Sequence, residues 1–410
     1  MKRVNIAKSM YWLYTFIFIF VMINREFLFL GIDLRYILLI LGIFLIFYRL
    51  GNRNKGQFKI ENEKKNNDFI GVFILYVWCF ISNIAWLWNG LNINNEKFMG
   101  QIILLINNFI GIIVFYLYRK YFKEEYINKI IIFSCCILML SFILISAGFE
   151  LHEISGSDVR ALVKASEIAE DHKNLYGGSY RLAGYAEDPN YASFFWMIGI
   201  VATLQSKISR KYKLMFSVCF IISFGFSCSK TILISFFIGF LYITIQKLLL
   251  KYGYKKIINF FIVISIIGVC FILPKTNLLT SMSTMRTRFM MWNMANTIFE
   301  ESPIMGNGID SFKSYINLQY NGGWYVQPHS TYWQLLSETG IIGLLIFAIL
   351  MYSRLNNAKN KYSNFLIFIY FMFAINFETI QLQFFVYIMY LISLNEDWRK
   401  NEKEKGVICS

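Results

Sequence analysis

The sequence predicts an all-α polytopic integral membrane protein with about twelve transmembrane helices. Three observations carry that fold class: composition, the length of the apolar runs, and the placement of basic residues between them. The 410 residues are 57% hydrophobic and only 16% charged, with 41 Phe, 26 Tyr and a mean hydropathy of +0.48. A soluble chain is about a quarter charged, and the apolar runs here are long enough to cross a bilayer core of about 30 Å. The net charge of +15 does not point to nucleic acid. Its basic residues lie in short clusters between apolar runs, where they orient spans in a membrane.

The elements follow in order. Lys2, Arg3 and Lys8 precede an apolar run from Ser9 to Ile23 that has no small-residue cleavage site, so it reads as an uncleaved first helix. Further runs lie near residues 29–48, 69–88, 98–118, 130–148, 191–206, 214–228, 231–245, 257–273, 331–351, 363–376 and 381–394. With a cytoplasmic N-terminus, alternate connecting segments hold 28 of the 40 Lys and Arg residues. That bias places both termini, including a tail over 395–410, in the cytoplasm. The seven cysteines fall in spans, at their edges or in that tail, so no disulfide framework is implied.

The whole of 1–410 reads as a single transmembrane domain with two large external loops, 149–190 and 274–330. They contain all three histidines (His152, His172, His329) and all four prolines, together with Arg160, Arg181, Arg286 and Arg288. Any chemistry is therefore expected on the outer face. In the first loop, Ser157 can cap a helix whose Val159, Leu162, Val163 and Ser166 share a face. In the second, Met285, Phe289, Trp292, Asn296 and Phe299 form a stripe at helical spacing. Such a helix is expected to lie in the interface plane with Arg286 and Arg288 at headgroup level. Gly306-Asn307-Gly308 then marks a tight turn.

The most specific pattern ends the second loop. His329-Ser330, nine residues, then Gly340-Ile341-Ile342-Gly343 follows three earlier pieces in order. These are Arg181-Leu182-Ala183-Gly184 with Asp188-Pro189-Asn190, Arg288 four residues before Trp292, and Pro303 to Gly308. Together they resemble the O-antigen ligase and polymerase family. The resemblance is clear over about 181–345 and extends to the twelve-span topology. Ser229-Lys230 stands where many members have Ser-Arg, and Ser330 where Asn is common.

The resemblance implies an enzyme similar to GT-C-type membrane glycosyltransferases, with short interfacial helices in its external loops. It would move a growing glycan from undecaprenyl diphosphate onto a lipid-linked repeat unit at the outer face of the cytoplasmic membrane. Its implied partners are an undecaprenyl-diphosphate-linked oligosaccharide, membrane lipids and a chain-length regulator, with no nucleic acid. A ligase that delivers the glycan to lipid A core shares the motifs. The chain's richness in Asn, Lys and Ile suits an AT-rich, low-GC Gram-positive source without such a core, which favours the polymerase.

The residues support that chemistry on physical grounds. Glycan transfer from a lipid diphosphate requires stabilisation of the leaving charge and removal of the acceptor proton. No external Asp-x-Asp pair is present to hold a metal, so neither metal nor cofactor is expected and arginine forks take the phosphate oxygens. Arg181 and Arg288 are the catalytic candidates beside His329 as general base. Arg160, Asn190, Lys230, Arg286, Gly306, Gly308 and Glu338 are the candidate substrate-binding residues. Glu338 either orients the site or lines a polar cavity. Asp33 and Arg35 either pair locally or sit at the interface. His152 and His172 read as surface residues. A lipid-linked oligosaccharide transporter is the competing class, but it calls for midplane polar groups and broken helices.

Overall fold

The computed structural model describes residues 2–23, 28–29, 32–53, 67–88, 95–118, 124–147, 149–153, 160–164, 186, 189–227, 229–250, 254–276, 283–309, 311–312, 315, 328–357 and 361–376. Its helices are α1 (Lys2–Ile23), α2 (Leu34–Arg53), α3 (Asn67–Trp88), α4 (Asn95–Tyr118), α5 (Glu124–Ser146) and α6 (Pro189–Gln205). They continue with α7 (Arg210–Ser227), α8 (Lys230–Leu250), α9 (Lys255–Ile272), α10 (Ser283–Glu301), α11 (Thr331–Asn357) and α12 (Lys361–Asn376). All but α10 fall on predicted apolar runs. The run at 381–394 and the tail at 395–410 lie outside the described residues.

Among the described residues, four helices are long and apolar enough to cross a membrane: within Leu34–Gly51, Glu125–Leu144, Lys255–Ile272 and Thr331–Asn357. Their surfaces agree with that reading. Phe47 on α2 is 69% exposed and Ile349 on α11 is 67% exposed, and other large apolar side chains along these helices are exposed too. Apolar surface on this scale is stable against lipid. Hydroxyls inside the helices turn back onto their own backbone: Thr15 donates to Tyr11 O, Thr203 to Gly199 O and Thr339 to Leu335 O.

Contacts divide the chain into two units, one of Met1–Lys59 and Ile113–Leu233, the other of Ile60–Ile112 and Ile234–Ser410. The core of the first centres on Trp196. Its ring meets Phe142 edge-on at 5.3 Å and Phe220 at 5.7 Å, while its indole N–H donates to Ser227 Oγ at 3.2 Å. Gly199 lets α5 and α7 close on α6, since any side chain there would strike Cys135 and Phe220. In the second unit α11 is the hub, packed by α3, α9, α10 and α12. A polar cluster ties one end of it: Asn259 donates to Asn356 Oδ1 and accepts from Tyr242, and Asn364 donates to Gln246.

Three expectations need correction. The helix expected in the first loop is a hairpin: β3 (Phe149–Glu153) pairs antiparallel with β4 (Arg160–Lys164). The register sets Leu151 opposite Leu162 and Glu153 opposite Arg160. The second span starts at Leu34, after a small hairpin of β1 (Leu28–Phe29) and β2 (Ile32–Asp33). Asp33 thus ends a strand opposite Leu28, and Arg35 is half-buried at the start of α2. Third, α10 packs against α11. Its buried face keeps Phe289 and Trp292 but turns toward Met291, Ala295 and Ile298, leaving Met285, Asn296 and Phe299 half-buried.

Candidate functional site

In the second unit the site is built around a break in α11. Gly340 has φ 67° and ψ −173°, so the helix stops after Thr339 and restarts at Ile341. A break in an α-helix strands the carbonyls of the preceding turn, and in an apolar interior each needs a new donor. The loop after α10 supplies them: Asn307 N donates to Ser337 O at 3.1 Å and Gly308 N to Glu338 O at 2.8 Å. From α3, Trp78 Nε1 donates to Thr339 O at 2.8 Å. Ile341 N, displaced from its helical acceptor, donates to Pro303 O at 2.9 Å.

The glycines of the two motifs make this approach possible. Gly306 has φ 75°, and any Cβ there would run into the backbone of Glu338 and Thr339. A Cβ on Gly340 would strike the Ile304 carbonyl, and one on Gly343 would strike the Thr339 side chain. Gly308, at φ 93°, shares the left-handed conformation that glycine adopts without cost to a side chain. Ser82 Oγ donates to Met305 O at 2.6 Å, Asn83 Oδ1 accepts from Ile309 N at 2.7 Å, and Asn307 Nδ2 donates to Ile298 O at 2.7 Å. Gly306 and Gly308 are therefore buried structural contacts of the loop with the helix.

His329 stands half-buried directly before α11 with φ 47°, the one non-glycine among the described residues at positive φ. A residue held there costs on the order of 1–3 kcal/mol and keeps that conformation only where its surroundings enforce it. Trp292 Nε1 donates to Pro328 O at 2.7 Å on one side of the turn. On the other side Ser330 Oγ lies 3.4 Å from Cys270 Sγ, and Ser330 O accepts from Gln334 N as the first bond of α11.

Arg288 is half-buried on α10, one turn before Trp292 on the same face, whereas Arg286 is exposed and two positions round the helix. The two arginines therefore do not act as one fork. Glu338 is buried at 1% exposure, and Gln334 Nε2 donates to both its oxygens at 3.2 and 3.1 Å. It thus belongs to the packed interior of α11, immediately before the helix break.

The first unit holds two further motif pieces together. Ser229 caps α8 by accepting from Ile232 N at 3.3 Å, and it donates to Asn190 Oδ1 at 2.8 Å. Asn190 is the second residue of α6, and Lys230 is the exposed first residue of α8. The N-termini of two helices, with their positive dipole ends, meet at Lys230. A cation at a helix N-terminus opposes that dipole, so an anion beside it would be stabilised by all three groups.

Arg181, with Gly184 and Asp188, lies outside the described residues. Arg160 opens β4, and its side chain also lies outside them. Trp78, Ser82 and Asn83 lie outside every motif of the sequence, whereas Ser229 belongs to the Ser229-Lys230 pair. The signal for the first three was present: polar-capable groups at i, i+4 and i+5 inside an apolar span have to find partners in the protein. Among the described residues no three His, Cys, Asp or Glu side chains gather as metal ligands.

Comparison with known proteins supplies one match. Residues 215–348 fit the family model described as O-Antigen ligase, a stretch that runs from α7 through the break in α11 and includes Arg288, Gly306, Gly308 and His329. No curated protein and no solved structure shows significant similarity to the chain.

Proposed function

With an O-antigen ligase domain over residues 215–348 supporting membership of the O-antigen ligase and polymerase family, we propose that the protein is a membrane polysaccharide polymerase. It moves a growing glycan from undecaprenyl diphosphate onto a lipid-linked repeat unit at the outer face of the cytoplasmic membrane. The observation that carries this reading is His329 held in a left-handed turn at the head of α11, with Arg288 one turn from the tryptophan that binds that turn.

The chemistry follows from those groups. The neutral imidazole of His329 takes the proton of the acceptor hydroxyl as its oxygen bonds to the anomeric carbon. The bond from that carbon to the diphosphate oxygen breaks, and the diphosphate leaves with the electron pair. Guanidinium forks of Arg288 and Arg181 stabilise the charge that develops on its oxygens. Lys230 and the N-termini of α6 and α8 are a separate place that favours an anion, while Arg160 and Arg286 anchor headgroups at the membrane surface. The full reading has twelve spans, a GT-C-like fold and cytoplasmic termini. It requires neither metal nor cofactor.

A ligase that delivers the glycan to lipid A core is the second reading, favoured by the description of the matching family. The glycan profile separates the two. In a strain lacking the gene, loss of long chains with single repeat units retained on their lipid carrier identifies the polymerase. Long chains that accumulate on that carrier without reaching their final acceptor identify the ligase.

A further inference from the structure

The turn that presents His329 is pinned on both flanks. Trp292 of α10 donates to the Pro328 carbonyl at 2.7 Å. Ser330 Oγ meets Cys270 Sγ of α9 at 3.4 Å, and Trp333 Nε1 donates to the Cys270 carbonyl at 3.2 Å. The residue between the two flanks has φ 47°. A side chain resists that region because its Cβ crowds the following carbonyl, so the conformation persists only where neighbours over-determine it. The backbone angle at residue 329 also decides where its Cβ, and hence its imidazole, is aimed.

Trp292 is fully buried, with the Phe289 ring 5.3 Å away. Its helix also carries Arg288 one turn earlier on the same face. One rigid element thus holds a phosphate-binding candidate and the donor that fixes the histidine turn.

We propose that Trp292 is a positioning residue for His329: its indole N–H holds the left-handed turn that aims the imidazole and sets the imidazole's place relative to Arg288. This rests on the reading of His329 as general base. Without the indole donor the Pro328 carbonyl is released and residue 329 relaxes toward ordinary backbone angles. The imidazole then moves off the acceptor proton, while the lipid diphosphate still binds through arginine. The loss falls on turnover rather than on substrate affinity.

Trp292→Phe tests this in membranes supplied with lipid-linked repeat units. Its kcat should fall about tenfold or more with KM within about twofold of wild type, the pattern of a misplaced reacting group. Phe289→Leu, which loosens the packing on the same ring and leaves the donor in place, should keep wild-type kcat. In a His329→Gln background, Trp292→Phe should change the residual rate by less than about twofold, because the two residues act as one unit. Wild-type kcat in Trp292→Phe, or the same loss in both backgrounds, overturns the proposal. Ser330→Ala loosens the opposite flank and should show the same non-additivity; it carries the test if Trp292→Phe does not insert. Wild-type activity in His329→Gln would overturn the general-base reading and this role with it. An inactive His329→Gln beside a fully active Trp292→Phe overturns the positioning role alone.

Discussion

A sugar hydroxyl is a weak nucleophile near neutral pH, and removing its proton as the new bond forms contributes about 10² to 10⁴ in rate. His329→Gln keeps a hydrogen-bonding side chain at φ 47° but cannot take that proton. It should leave an inserted protein whose chain elongation drops by about two orders of magnitude or more, read as single repeat units on a glycan gel. His152→Ala and His172→Ala should elongate normally; near-normal chains in His329→Gln would remove the general base from the mechanism. Arginine geometry is tested in the same assay. Lysine offers a point charge where arginine offers a planar fork, so Arg288→Lys and Arg181→Lys should each lose most activity at unchanged expression. Full activity in both would reduce these residues to headgroup anchors. His329, Arg288 and the paired glycines were legible through their resemblance to the family's motifs, and they lie within residues 215–348, which fit that family's model. The hydrogen bond from Trp292 to Pro328 was not legible, because nothing in a Trp at helical spacing separates an indole donor with a backbone acceptor from ordinary packing.

At the level of elements, the break in α11 and the loop from Ser302 to Ile309 form one device. The loop returns donors to the Ser337 and Glu338 carbonyls that the break exposes, and glycine at 306 and 340 is what lets the two backbones meet. Gly340→Ala must place a side chain at positive φ and push it into the Ile304 carbonyl. Left-handed strain of about 1–2 kcal/mol and overpacking of about 1–3 kcal/mol both act against the fold. Gly340→Ala and Gly306→Ala should therefore lower the thermal midpoint of detergent-purified protein by many degrees, and Gly225→Ala, where a Cβ meets nothing within 4 Å, should not. Equal midpoints for all three would show that the loop does not depend on this close approach. The apolar runs fixed helix positions well because a bilayer imposes length and hydrophobicity on each span. The hairpin at Phe149–Lys164 escaped because a five-residue strand satisfies a helical face pattern as easily as an alternating one, and only its partner strand decides.

For the whole molecule, the proposal requires both large loops on the outer face. A reporter fused after Asn174 or Gln319 should read external, and one after Gly56 or Asn357 cytoplasmic. A reversal at either loop would put part of the proposed site, Arg181 in the first or His329 in the second, on the wrong side for a substrate presented outside. The expected orientation rests on where the charges fall along the sequence, whereas the hub role of α11 could not be read there, since it depends on which helices its buried face meets. Metal independence belongs to this scale too: elongation in washed membranes should survive excess EDTA, and abolition with rescue by magnesium or manganese would mean that a cation, and not arginine, neutralises the leaving diphosphate.

The most direct measurement is reconstitution of the purified protein in vesicles with lipid-linked repeat units as the only glycan. Wild-type protein should convert them into a ladder of longer lipid-linked chains with release of undecaprenyl diphosphate, and His329→Gln should leave single units. Absence of any ladder from wild-type protein, or the same ladder from both, would contradict the account.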